Sequence, residues 1–184
     1  MPDALLIVDY QNDFIPGGAL GVEGGDAIVE HINELARSGR FDIVVATRDW
    51  HPPDHGSFAK RGGPWPEHCV QGSPGAELHA ELDRTAIDLV IDKGHHQATD
   101  GYSAFEDTDL GDLLRGRGID SLTIVGLATD YCVKNSALDA LAEGFDVHVE
   151  LEAVRRVDVK AGDSERALEE IRQAGGSVGV VRPQ

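Results

Sequence analysis

Cys132 lies where a strand pattern meets a helix pattern, within SLTIVGLATDYCVKNSALDALA at residues 121–142. Leu122, Ile124 and Val125 read as a buried strand, and Val133, Ala137, Ala140 and Leu141 recur at helical spacing up to Gly144. With Thr129 as the N-cap, Cys132 is expected to be the third helical residue. Free N–H groups and the positive end of a helix dipole there favour a thiolate and can hold an oxyanion, which is the chemistry of nucleophilic attack. A thiol nucleophile also needs a proton acceptor and a positive charge, and Asp9 and Lys93 can supply them. Asp49-Trp50-His51 carries a second kind of signal. Residues two apart on an extended segment project to the same side, so a carboxylate and an imidazole converge. His55 or His68 can complete a site of two histidines and one carboxylate, suited to zinc, iron or manganese. Each group alone has an ordinary structural reading: Cys132 as an apolar core residue, Asp9 as a loop residue, Lys93 as a surface charge, Asp49 and His51 as an ion pair.

What must position them is an alternation of strands and helices. Apolar runs at 4–8, 41–46, 87–91 and 122–125 read as strands, followed by Phe145, Val147 and Val149, and then by Val178, Val180 and Val181. Between them helices are expected from Asp26 to Gly39 with Ile28, Ile32 and Leu35 on one face, over 76–82, over 109–115, after Cys132, and over 164–174 capped by Asp163 or Ser164. Residues 52–75, rich in Pro and Gly yet holding Phe58, Trp65, His68 and Cys69, read as a long functional loop. The pattern predicts one α/β domain over residues 1–184, an open, mostly parallel six-stranded sheet with helices on both faces. Ligands in such sheets bind beyond the carboxyl ends of the strands. Asp9, Asp49, His51, Lys93 and Cys132 all fall at that edge.

Composition narrows the partners. The 184 residues hold 33 Asp and Glu against 16 Lys and Arg, a net charge of −17 that argues against nucleic acid or an anionic membrane. The acidic surface fits solubility or growth in high salt. Two cysteines without a CxxC pattern fit a reducing compartment and no thiolate zinc site. No apolar run approaches membrane length and the chain starts without a signal pattern, so a cytoplasmic protein is expected. The loop after the first strand, Asp9-Tyr10-Gln11-Asn12-Asp13-Phe14, has no GxGxxG and places carboxylates where a pyrophosphate would sit.

Taken in order, VDYQNDF (8–14), TRDWHPPDHGSFA (47–59), WPEHCVQGSPGAEL (65–78), DKG (92–94), GYSAFED (101–107) and GLATDYCV (126–133) resemble the successive motifs of nicotinamidases, members of the isochorismatase-like cysteine hydrolases. The resemblance implies hydrolysis of nicotinamide to nicotinate and ammonia, usually of pyrazinamide too, and a place in NAD salvage. It implies a catalytic triad of Asp9, Lys93 and Cys132, a cis peptide at Leu127–Ala128, and an oxyanion hole from the N–H groups of Ala128 and Cys132. Asp49, His51 and His68 match the family's metal ligands, with one divalent ion expected, zinc first and iron or manganese as alternatives. Phe14, Trp65 and Tyr102 match residues around the pyridine ring, beside Leu127 and Ala128. His55 is held off by Pro52 and Pro53 and is expected beside the ion, hydrogen-bonding metal-bound water or a ligand carboxylate. A homo-oligomer is compatible with the sequence. The rival readings are a metal-independent amidase or isochorismatase-type hydrolase of the same fold, and a non-catalytic ligand-binding module.

Overall fold

Continuous apolar strands need cover on both faces, and the sheet supplies it. The computed structural model describes residues 1–181. Its strands are β1 (Asp3–Val8), β2 (Ile43–Asp49), β3 (Leu89–Lys93), β4 (Ser121–Leu127), β5 (Asp146–Arg155) and β6 (Ser177–Gly179). They form a six-stranded sheet in the order β3-β2-β1-β4-β5-β6. Every pairing is parallel, where the sequence suggested mostly parallel. Side chains alternate between two cores: Ala4, Leu6 and Val8 face one, Leu5 and Ile7 the other. The first core is covered by α2 (Leu110–Gly116), α3 (Lys134–Ala142) and α4 (Asp163–Gln173) through Leu110, Leu114, Ala137, Ala140 and Ile171. The second is covered by α1 (Val29–Arg37), through Val29 and Ile32, and by loop residues such as Tyr10, Phe14, Leu78 and Leu82. No helix of the described residues is long and apolar enough to cross a membrane.

Strand order reverses between β1 and β4, which opens a crevice at their carboxyl ends. Asp9 follows β1 and Cys132 follows β4, so the two flank that crevice. Lys93 reaches it from the end of β3, where it is the last strand residue. β3 is an edge strand, and Val90 on it is 41% exposed.

Several local expectations are overturned. Residues 76–82 do not form a helix. Only Pro74–Ala76 makes a short 3-10 turn; the chain then runs beside the loop after β1, with Asn12 N donating to Glu77 O (3.0 Å) and His79 N to Tyr10 O (2.9 Å). Leu78 and Leu82 are buried as the apolar pattern required, but Leu78 from a bridge to Gln11 and Leu82 from a turn closed by its N–H on His79 O (3.0 Å). The last strand stops at Gly179, short of Val180 and Val181, because the Val181 N–H is taken by the Glu150 carboxylate (2.6 Å). The N-cap of α4 is Gly162 in a left-handed conformation (φ 85°), with Asp163 and Ser164 inside the helix. Asp158 accepts the Ser164 N–H (2.8 Å), so the orphan donor is satisfied from outside. Residues 182–184 of the expected domain lie outside the described residues.

Gly126 marks the tightest crossing of the sheet. Its φ is 112°, and a Cβ there would stand 2.1 Å from the Val8 carbonyl oxygen. Backbone cannot yield as a side-chain tip can, so Gly126→Ala is expected to lower stability by roughly 2–4 kcal/mol, read as a drop in the denaturant midpoint.

Candidate active site and metal centre

The site is built around a buried ammonium. Lys93 is wholly buried, and its Nζ donates to Asp49 Oδ1 (2.6 Å), Gly101 O (2.6 Å) and Cys132 Sγ (3.4 Å). Asp9 Oδ2 lies 2.8 Å from the same Nζ. The carboxylate is thus paired with the ammonium and also adjoins the Cys132 thiol, whose proton it is placed to take. The other carboxylate oxygen accepts from Thr47 Oγ1 (2.8 Å), which fixes the plane of Asp9. Asp9 has φ 51°, a left-handed turn uncommon outside glycine, and it swings the side chain off the end of β1 into the crevice.

Burial pushes the Asp9 carboxyl up to about 6, with Asp49 adding to the rise and Lys93 opposing it. Burial would lower the Lys93 pKa, but Asp49, Asp9 and Cys132 outweigh it and hold the ammonium well above its ordinary value. For Cys132, burial is the largest influence and raises the thiol well above its ordinary value, against the pull of Lys93. Burial and the facing carboxylates therefore outweigh the helix-start dipole, which alone favours a thiolate. The capping was also misplaced: Ala128 is the N-cap, and Thr129–Val133 form a π turn before α3. Ala128 O accepts from Tyr131 N (3.1 Å) and Val133 N (3.1 Å), passing over the Cys132 N–H. The Leu127–Ala128 peptide is cis.

Asp49 divides its oxygens between two tasks. While Oδ1 meets Lys93, Oδ2 faces His51 Nε2 at 3.4 Å and His68 Nε2 at 4.0 Å. The far nitrogens are braced, His51 Nδ1 on Gly94 O (2.7 Å) and His68 Nδ1 on Pro66 O (2.8 Å), so both Nε2 atoms turn inward. Burial, the largest influence, moves His68 below its ordinary value, the direction that favours the neutral imidazole a metal ligand requires. His51 is raised, because Asp49 outweighs burial; the pair invites a positive charge, which a divalent ion would supply in place of a proton. Lys93 and His51 together hold Asp49 below the usual carboxylate range although burial opposes them. Two imidazoles and one carboxylate, buried and converging, fit a divalent metal.

His55 is placed differently from the sequence expectation. Its Nε2 meets Thr99 O (2.8 Å) and its Nδ1 meets Ser57 Oγ (2.7 Å), which leaves neither nitrogen for Asp49 or for water on an ion. Instead its ring stacks on His51, centroids 3.9 Å apart, and holds that imidazole in place.

A small cleft lined mainly by apolar and aromatic side chains opens onto Cys132 and Asp49. Phe14, Trp65, Tyr102, Leu127 and Ala128, all expected, line it with His68. Leu20, Val22, Tyr131 and Val157 line it too and were not anticipated. Trp65 Nε1 donates to Tyr102 Oη (3.0 Å), and Tyr131 packs edge-on against Trp65 at 5.1 Å. Gln11 was also missed. Its carboxamide brackets the Asp49 backbone, accepting from Asp49 N (2.8 Å) and donating to Asp49 O (2.8 Å). Its place inside a motif was the available signal, but no spacing argument singles out a glutamine.

An isochorismatase domain model matches residues 3–181. The chain belongs to the isochorismatase family. Among its relatives, this isochorismatase-family chain is 44% identical to the nicotinamidase of Escherichia coli (strain K12), over 96% of this chain and 94% of that one. Similar solved structures include the pyrazinamidase of Pyrococcus horikoshii in complex with zinc, with TM-score 0.89, 46% identity, and coverage of 98% of this chain and 100% of that one. The PnC1 protein of L. infantum in complex with nicotinate gives TM-score 0.91 and 41% identity, over 96% of this chain and 91% of that one. The donor geometry makes a ranking testable by the metal-to-protein ratio. His68→Ala is expected to lose the ion; His55→Ala is expected to retain most of it, since the stacked ring positions His51 without offering a nitrogen. The reverse ranking would overturn the assignment.

Proposed function

We propose that this protein is a nicotinamidase, hydrolysing nicotinamide to nicotinate and ammonia, and pyrazinamide to its acid, through a thioester on Cys132. The observation that carries the reading is a thiol with its own base and buried cation, opening into an aromatic cleft whose other wall is Asp49 and His68. Relatives named for the same reaction support it.

In this mechanism Asp9 Oδ2 takes the Cys132 proton as sulfur attacks the carboxamide carbon. Lys93 offsets the negative charge that forms on sulfur, so a thiol with a raised pKa is deprotonated only in the act of attack. The N–H groups of Ala128 and Cys132 hold the tetrahedral oxygen. Asp9 returns its proton to the amide nitrogen, ammonia leaves, and the thioester remains. Water, giving a proton to Asp9, attacks the thioester carbon; nicotinate departs and the proton restores the thiol. Phe14, Trp65 and Tyr102 enclose the ring and exclude bulk water. Asp49, His51 and His68 would hold a divalent ion, zinc by our reading with iron or manganese as alternatives, which would supply a Lewis acid to anchor and orient the pyridine ring. A reducing, cytoplasmic setting and a role in NAD salvage complete the proposal.

The test is ammonia release from nicotinamide by purified protein, with and without a chelator. Cys132→Ala is expected to lower turnover by at least about 10⁴-fold. Cys69→Ala is expected to keep the chemistry, because Cys69 is buried beside Asp13 and burial raises its thiol far from reactivity. Substantial turnover by Cys132→Ala would refute the mechanism. The pH dependence follows from Asp9, which must be ionised to accept a proton. With its carboxyl pushed up to about 6, kcat/KM is expected to fall as pH drops through that value and to be level just above it. A profile without an acid limb between pH about 5 and about 7 would remove Asp9 as the base.

A further inference from the structure

A second group of side chains repeats the donor set of the metal centre at another place. His95 Nε2 and His96 Nδ1 both face Asp107 Oδ2, at 3.7 and 3.5 Å. At the metal centre the two imidazole nitrogens stand 3.4 and 4.0 Å from Asp49 Oδ2. The two sets therefore match in kind and spacing, each with its donor atoms within 4.8 Å of one another. Consecutive residues on an extended chain point to opposite sides. Here a bend turns both rings to one side, with centroids 4.3 Å apart at 69°. The depression holding His95 and Asp107 is also lined by Asp92, Asp109 and Asp112, and by no lysine or arginine. Asp92 is paired with Arg48 and Asp112 with Arg115, so Asp109 is the carboxylate outside the donor set that adds negative potential for a cation.

We propose that His95, His96 and Asp107 form a second, surface site for a divalent transition-metal ion such as zinc. It differs from the buried centre in one respect that sets its strength. Among the described residues, no backbone carbonyl braces these rings as Gly94 and Pro66 brace His51 and His68, and all three side chains are at least one-third exposed. The site is therefore weaker and exchanges faster, and a chelator empties it first. Its placement ties it to the catalytic groups. Gly94 O holds His51 and Gly101 O holds Lys93, and an ion joining His95 and His96 to Asp107 closes the loop that carries both carbonyls. This inference does not depend on the amidase reading.

Calorimetric titration of zinc into full-length protein already loaded with one equivalent tests it. One further ion per chain is expected, bound more weakly than the first. His96→Ala and Asp107→Asn are each expected to weaken that second event by at least about tenfold while the first equivalent and the circular dichroism spectrum are unchanged. Absence of a second event in the parent protein overturns the proposal. So does a second event that survives in both variants, which would move the ion to another group such as His31, Glu150 and Glu152.

Discussion

The buried Lys93 ammonium is the interaction on which the rest of the site depends. A positive charge with no exposed surface is tolerable only when negative partners surround it, and Asp9, Asp49 and the Gly101 carbonyl do so. Those partners cannot then be arranged freely. Asp9 is tied to the end of β1, Asp49 to the end of β2, and Gly101 to the loop beyond β3, so the demand of one ammonium draws three chain segments to one point. The contact with Cys132 adds the end of β4. The same cluster keeps Asp9 from being an inert ion. Its carboxylate adjoins both Lys93 and Cys132, which suits it to the proposed role of base.

Much of this was legible because the groups concerned sit where topology forces them together. Asp9, Asp49, Lys93 and Cys132 end or follow apolar runs, and parallel strands in one sheet place such positions at one edge whatever their order. The state of the thiol was not legible. A helix N-terminus predicts a lowered pKa, whereas Cys132 is buried among carboxylates and lies in a π turn whose cap is one residue earlier than expected. Depth and charge neighbours across the sheet outweigh a local dipole, and neither is visible in a window of sequence. The false helix at 76–82 has a related cause: Leu78 and Leu82 show helical spacing, yet pairing with the loop after β1 claims the backbone.

His55 lies beside the candidate ligands in another way than spacing suggests: its nitrogens meet Ser57 and Thr99 and its face meets His51. Gln11, similarly, works on the backbone of Asp49 and not on its carboxylate. Both residues position the candidate ligands, His55 by stacking on His51 and Gln11 by bonding the Asp49 backbone. Side chains of this kind leave little trace in spacing, since they need only be adjacent after folding.

The position of Lys93 on an edge strand bears on how the protein comes apart. β3 is held laterally by β2 alone and is partly exposed, so it belongs to the part of the sheet that opens at lower free energy than the centre. Its detachment removes the ammonium while β1 and β4 stay paired and keep Asp9 and Cys132 in place. What is left is a thiol facing carboxylates with no positive charge to offset its ionisation, a chemically quiet state inside a sheet that is still largely formed. Loss of turnover and loss of secondary structure are thus separate events in this fold, the first reporting on one margin of the sheet and the second on its middle.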